Sequence, residues 1–95
     1  MKFILNKKNQ KGKLFLNIID CEIKGKILED DNKKIDLNNI FYDGIETEEE
    51  EILNLVEKAY SIQFIGNKSV DFAIKNNIIK EYLEIKKIKY AFLMN

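Results

Sequence analysis

Residues Ala59 to Ile79, AYSIQFIGNKSVDFAIKNNII, constrain the fold more than any other stretch. Ile62, Phe64 and Ile65 form a short apolar run, and Gly66 ends it. Val70, Ala73, Ile74 and Asn77 then recur at the spacing of a helix face. The stretch therefore reads as a buried strand, a glycine turn and a helix. Asn77 falls where a helix end calls for a left-handed residue, which asparagine adopts best after glycine, and Ile78 and Ile79 then fold back onto the helix. A helix entered through glycine leaves free N–H groups at its start, and such groups attract anions.

The rest of the chain is read around this unit. Met1–Leu5 and Leu14–Ile19 form two strands, joined as a hairpin by the polar connector Lys7–Lys13 with its Gly12. The run LFLNII is almost continuously apolar, the pattern of a strand covered on both faces. Asp20 is placed to cap a single helical turn and Gly25 to end it with positive φ. Lys26–Leu28 and Lys34–Leu37 flank an acidic turn and form a second short hairpin. Asn38–Gly44 is a loop with adjacent aromatics, Phe41 expected inside and Tyr42 partly outside. Thr47-x-x-Glu50 has the form of a capping box, and Ile52, Leu55, Val56 and Ala59 continue it as a helix that ends near Ala59. Glu48, Glu49, Glu50 and Glu51 fall in its first turn, where the helix dipole favours negative charge. Leu83, Ile85, Ile88 and the segment Tyr90–Met94 supply one or two closing strands. The class is α+β: a single small domain with a mixed β-sheet and two principal helices packed on it.

Composition removes several kinds of chemistry. The chain of 95 residues suffices for one modest core. No run of about 18 apolar residues exists to span a membrane as a helix. The start, MKFILNKKNQKGK, has the wrong layout for a signal peptide, and Cys21 has no internal disulfide partner, so a cytoplasmic setting is expected. Histidine is absent, and all sixteen basic residues are lysine. Cys21 thus lacks the base that a thiol nucleophile needs, and the usual zinc ligand sets are missing. The carboxylates Glu29, Asp30, Asp31 and Glu48 to Glu51 follow no calcium-loop pattern and read as a solvated acidic face. A phosphate loop ending at Gly25-Lys26 would need glycine at Asp20 and a hydroxyl at Ile27. No catalytic residue, metal site or cofactor is assigned. Net charge is zero but unevenly spread: residues 1–26 carry seven lysines and two acids, residues 27–57 two lysines and eleven acids, and residues 58–95 seven lysines and three acids.

Taken in order, several short segments are similar to a known family. Asp20 with Gly25-Lys26 resembles a Cys-Asp-x-x-x-Leu-Gly-Lys segment. Phe41-Tyr42 with Gly44 precedes an acidic helix, followed by Ala59, Ile65-Gly66, Val70 with Ala73-Ile74, and Ile88 with Ala91. The chain resembles the archaeal "domain of unknown function 424" family almost end to end. Ile19 stands where the family has cysteine, Lys24 where it has leucine, Gln63 where it often has asparagine, and Tyr90 where it often has histidine. The resemblance implies a fold and an archaeal cytosolic setting, and leaves activity open.

Two surfaces are candidates for binding. Gly66, Lys68 and Ser69 form an anion site at the helix start, with capping by Asn67 or Ser69 as the structural alternative. Lys26, Tyr42, Lys86, Lys87 and Lys89 extend it toward a polyanion. The acidic turn Glu48–Glu51 would instead meet a basic protein partner. The expected function is therefore non-catalytic binding to RNA or a ribosome-associated protein, with no membrane contact. The competing readings are a protein-interaction adaptor and, last, a small enzyme with an anionic ligand at Gly66–Ser69.

Overall fold

The computed structural model describes all 95 residues, Met1 to Asn95. Strand β1 spans Lys2–Gln10 and β2 spans Lys13–Asp20, paired antiparallel from Phe3–Asp20 to Gln10–Lys13. The expected connector Lys7–Lys13 is therefore mostly strand. Only Lys11 and Gly12 form the turn, with φ of 50° and 80°. Both central residues at positive φ define the two-residue turn whose twist matches a hairpin.

A single 3-10 turn at Cys21–Ile23 follows, and Gly25 leaves it at φ 79°, as the sequence indicates. Strands β3 (Ile27–Glu29) and β4 (Lys34–Asp36) make the expected short hairpin as a sheet of their own. Asp30 Oδ1 rigidifies its loop by accepting from the N–H groups of Asn32 (2.9 Å) and Lys33 (2.8 Å). The following loop contains a second 3-10 turn, Ile40–Tyr42, where Asn39 Oδ1 accepts from Phe41 N–H. Of the aromatic pair, Tyr42 is partly exposed as expected, but Phe41, expected inside, is not buried. Tyr42 packs onto apolar residues of the sheet, while Phe41 stays 45% exposed against its edge.

Strand β5 (Ile45–Glu48) was not legible from sequence. It pairs antiparallel with β1 and takes up Thr47, whose hydroxyl donates to Ile45 O. The expected capping box is thus not formed. Helix α1 runs only Glu49–Val56, with Glu49, Glu50 and Glu51 in its first turn. Strand β6 (Ser61–Ile65) and helix α2 (Asn67–Lys75) form the strand–glycine–helix unit, with Gly66 at φ 119°. The buried face of α2 is Ser69, Val70, Phe72 and Ala73; Ile74, expected inside, is 37% exposed. Asn77 is left-handed at φ 59°, and Ile78 N–H returns to Ala73 O at 2.8 Å, closing the helix as expected. Strands β7 (Leu83–Ile85) and β8 (Ile88–Met94) are a hairpin turned at Lys86-Lys87.

The main sheet has the order β5-β1-β2-β6-β8-β7, with β2 and β6 parallel and every other neighbour antiparallel. The fold is α+β. One face carries Phe3, Leu5, Leu16, Ile18, Ile62 and Phe64 into a core closed by α1 and α2. The opposite face is divided. Its upper row, Ile4, Ile19 and Ile65, is buried with Ile23, Leu28 and Leu37 of the β3–β4 region. Below that row the register continues with Asn6–Asn17–Gln63–Phe92 and then Lys8–Phe15–Ser61–Met94. The Asn39–Gly44 loop reaches these lower rows only at Asn6 and Lys8; Asn17 and Ser61 are buried, while Lys8, Phe92 and Met94 are exposed. Strand β2 is covered on both faces only in its C-terminal half, because the small second sheet reaches no further.

Candidate nucleic-acid interface

The N–H groups at the start of α2 do meet an anion, and it belongs to the protein. Lys68 N–H donates to Asp20 Oδ2 at 2.9 Å, and Ser69 N–H and Oγ–H donate to Asp20 Oδ1 at 2.7 and 2.6 Å. Asp20 and Ser69 are both buried. Asp20 lies at the end of β2, whose parallel pairing with β6 brings it beside Gly66. A Cβ on Gly66 would strike the Asp20 carboxylate, so glycine is needed for the close approach as well as for its φ. The expected capping by Asn67 or Ser69 is corrected accordingly: Asp20 caps α2 and not its own 3-10 turn. Asn67 Oδ1 instead accepts from Lys89 N–H at 2.8 Å, tying β8 to the same corner. The N–H groups of Gly66, Lys68 and Ser69 are thereby bonded within the protein, to Lys89 O and to the Asp20 carboxylate.

The sequence-selected lysines fall into two groups. Lys68 Nζ is 2.8 Å from Glu22, and that hydrogen bond holds its ammonium above the ordinary lysine range. Lys89 Nζ is 3.0 Å from Asp71 and lies over the Tyr82 ring, and Asp71 likewise raises its pKa. Lys26, Lys86 and Lys87 are exposed on turns. The acidic turn is also partly engaged: Glu49 pairs with the terminal amine at 3.1 Å and Glu48 with Lys2 at 3.8 Å, while Glu50 and Glu51 are exposed. Cys21 Sγ lies 3.5 Å from Lys2 O and 3.6 Å from Glu46 Oε1. Burial first, then Glu46, then Glu22 and Asp20 push its thiol up, which disfavours the thiolate that a nucleophile needs.

The lower half of the second sheet face gathers a different set. Phe92 is 56% exposed, Phe15 is half-buried, and Phe41 stands beside Tyr42 at the edge. Lysine amines lie over three of the rings around this face: Lys8 over Phe41 at 4.9 Å, Lys13 over Tyr60 at 4.4 Å, and Lys33 over Tyr90 at 5.7 Å. Two grooves bracket the face. One, about 430 Å³, runs from Lys33 and Lys34 past Tyr42 and Gln63 to Phe92; the other, about 590 Å³, lies between Lys11, Lys13, Phe15 and Tyr60. Neither groove is lined by a carboxylate. Burial pushes the Tyr42 phenol up, so this ring remains a neutral wall. Tyr42 is the one sequence-selected residue that lines these grooves. Lys8, Lys13, Lys33, Phe15 and Phe92 were missed. Their signal was the alternation Lys13-x-Phe15-x-Asn17 within a run that looks apolar throughout, which marks one half-open strand face.

The profile of the family described as "Protein of unknown function (DUF424)" matches residues 8–95. The chain belongs to the DUF424 family. Among solved structures, this DUF424 chain is similar to an uncharacterized conserved protein from Methanopyrus kandleri. The TM-score is 0.80 at 15% sequence identity, over 98% of this chain and 90% of the other. At that identity the likeness concerns the fold. No curated protein matches the chain.

Proposed function

We propose that this protein is a non-catalytic cytoplasmic binding protein that holds single-stranded RNA across the uncovered half of its sheet. The observation that carries the reading is the combination on that face: exposed aromatic rings, lysine amines over rings at its margin, and grooves without carboxylates. Bases stack on aromatic side chains irrespective of sequence, at about 1–3 kcal/mol each, while lysines follow the phosphates. A sheet is a suitable platform because its side chains stand at fixed spacing on one face. The RNAs of translation, free or in ribonucleoprotein, are the substrates to examine first.

Fluorescence anisotropy with single-stranded RNA tests the reading. Binding tighter than about 10 µM is expected at low salt, with steep loss as salt rises. Lys8→Glu, Lys13→Glu and Lys33→Glu should each reduce the log–log salt slope by about 0.7 if each lysine neutralises one phosphate. Phe92→Ala should weaken binding with little change in slope. Lys68→Ala, which touches only the Glu22 pair, is the control and should leave RNA affinity unchanged. Absence of salt-dependent binding, or equal affinity after all three lysine changes, would refute the proposal.

A further inference from the structure

Gln63 occupies the middle of the uncovered face, opposite Asn17 on β2 and Phe92 on β8. The other amides of this row are matched. Asn17 Nδ2 donates to Asn6 Oδ1 at 3.2 Å, and Asn6 Nδ2 donates to Asp43 O. Gln63 differs: its Oε1 is buried without a hydrogen-bond partner. A buried acceptor without a donor is unfavourable, and a methionine or leucine would fill the same space without that cost. Gln63 lines the groove of about 430 Å³, together with Ile35, Tyr42, Tyr90 and Phe92, with its Oε1 turned away from solvent. That volume falls in the range of small-ligand pockets, about 300–1,000 Å³. Lys33 and Lys34 line the same groove and are exposed, whereas the nearby acids Asp30, Asp31 and Asp36 do not line it.

Three demands follow for an occupant. It must donate a hydrogen bond to Gln63 Oε1, present a flat apolar face to tyrosine and phenylalanine rings, and carry negative charge toward the two lysines. An unpaired nucleobase on a phosphate backbone meets all three. We infer that this groove receives one base of a single strand and that the Gln63 amide turns from its buried position toward the groove on binding, so that Oε1 accepts from the base N–H while Nε2 donates to an acceptor on the same base edge. An amide offers a donor and an acceptor side by side, the arrangement that base edges complement. The inference rests on the RNA-binding reading above and adds to it a place where a base is read as well as stacked.

Gln63→Met tests it, since methionine keeps the length and apolar volume and removes both polar atoms. The variant should fold at least as stably as wild type by urea titration, because the unmatched acceptor is gone. In anisotropy titrations with short oligomers of each of the four bases, affinity should fall about tenfold or more for the preferred oligomer. The spread among the four should narrow, while the salt slope remains, since no lysine is altered. In wild type, one abasic position in a short oligomer should reproduce most of the loss. A folded Gln63→Met protein with unchanged affinity and unchanged base preference overturns the base pocket and leaves RNA binding standing. Wild-type protein that shows no salt-dependent RNA binding overturns both.

Discussion

Asp20→Ala removes the acceptor shared by three donors at the start of α2, the N–H groups of Lys68 and Ser69 and the Ser69 hydroxyl. Ser69 is fully buried, so its two donors have no route to water. Each buried donor left unmade costs about 1–3 kcal/mol. The Lys68 N–H lies beside an exposed side chain and is the easiest of the three to rehydrate. The lost carboxylate charge at the helix start adds about 0.3–1 kcal/mol. The Ser69 hydroxyl has some freedom to rotate toward a carbonyl of the preceding turn, which places the expected loss near the middle of the range, about 4 kcal/mol. Small domains have about 5–15 kcal/mol in total, so the variant should sit close to its unfolding threshold. With a urea dependence of about 1–3 kcal/mol per molar, the midpoint should fall by about 2 M, read by far-ultraviolet circular dichroism. Gly66→Ala provides the coupled measurement. Its new Cβ meets the Asp20 carboxylate and also suffers from the φ of 119°, so its cost should shrink in the Asp20→Ala background to the backbone strain alone. A midpoint shift below about 0.5 M for Asp20→Ala, or an equal cost of Gly66→Ala in both backgrounds, would refute the reasoning.

Lys86 and Lys87 turn the β7–β8 hairpin at φ of 49° and 69°, where non-glycine residues pay about 1–2 kcal/mol, so Lys86→Asn with Lys87→Gly should raise the melting temperature by about 4–8 °C in calorimetry. Cys21 should react with iodoacetamide more slowly than a free thiol at neutral pH. A raised pKa lowers the thiolate fraction, and Glu46→Gln should speed the reaction by removing the negative charge that opposes the thiolate. Gly44→Ala should destabilise by about 2 kcal/mol or more in urea titration, because its Cβ would press on the Leu5 carbonyl and part the loop from β1.

Local chemistry made much of the fold legible. The strand–glycine–helix unit, the left-handed Asn77, the single turn ending at Gly25 and the short acidic hairpin all follow from residue type and spacing, because each depends on neighbours in the chain. The boundaries that failed were those where a distant strand competed. Thr47 looked like a helix cap, but β1 needed an edge partner and drew Ile45–Glu48 into the sheet. Lys7 to Gln10 looked like a loop by composition, yet they pair with Lys13 to Leu16 because one face there remains open and tolerates polar side chains.

The helix start shows most clearly where local inference stops. That N–H groups would be free there, and that they would take an anion, was determined by the glycine and the helix period. Which anion they take was decided by the parallel pairing of β2 with β6, which carries Asp20 across 49 residues of sequence to Ser69. The uncovered sheet face is of the same kind. Alternation within each strand puts Lys8, Phe15, Gln63 and Phe92 on a definite side, but only the short reach of the β3–β4 sheet leaves that side open. Burial is a property of what packs above a residue, and that information lies elsewhere in the chain.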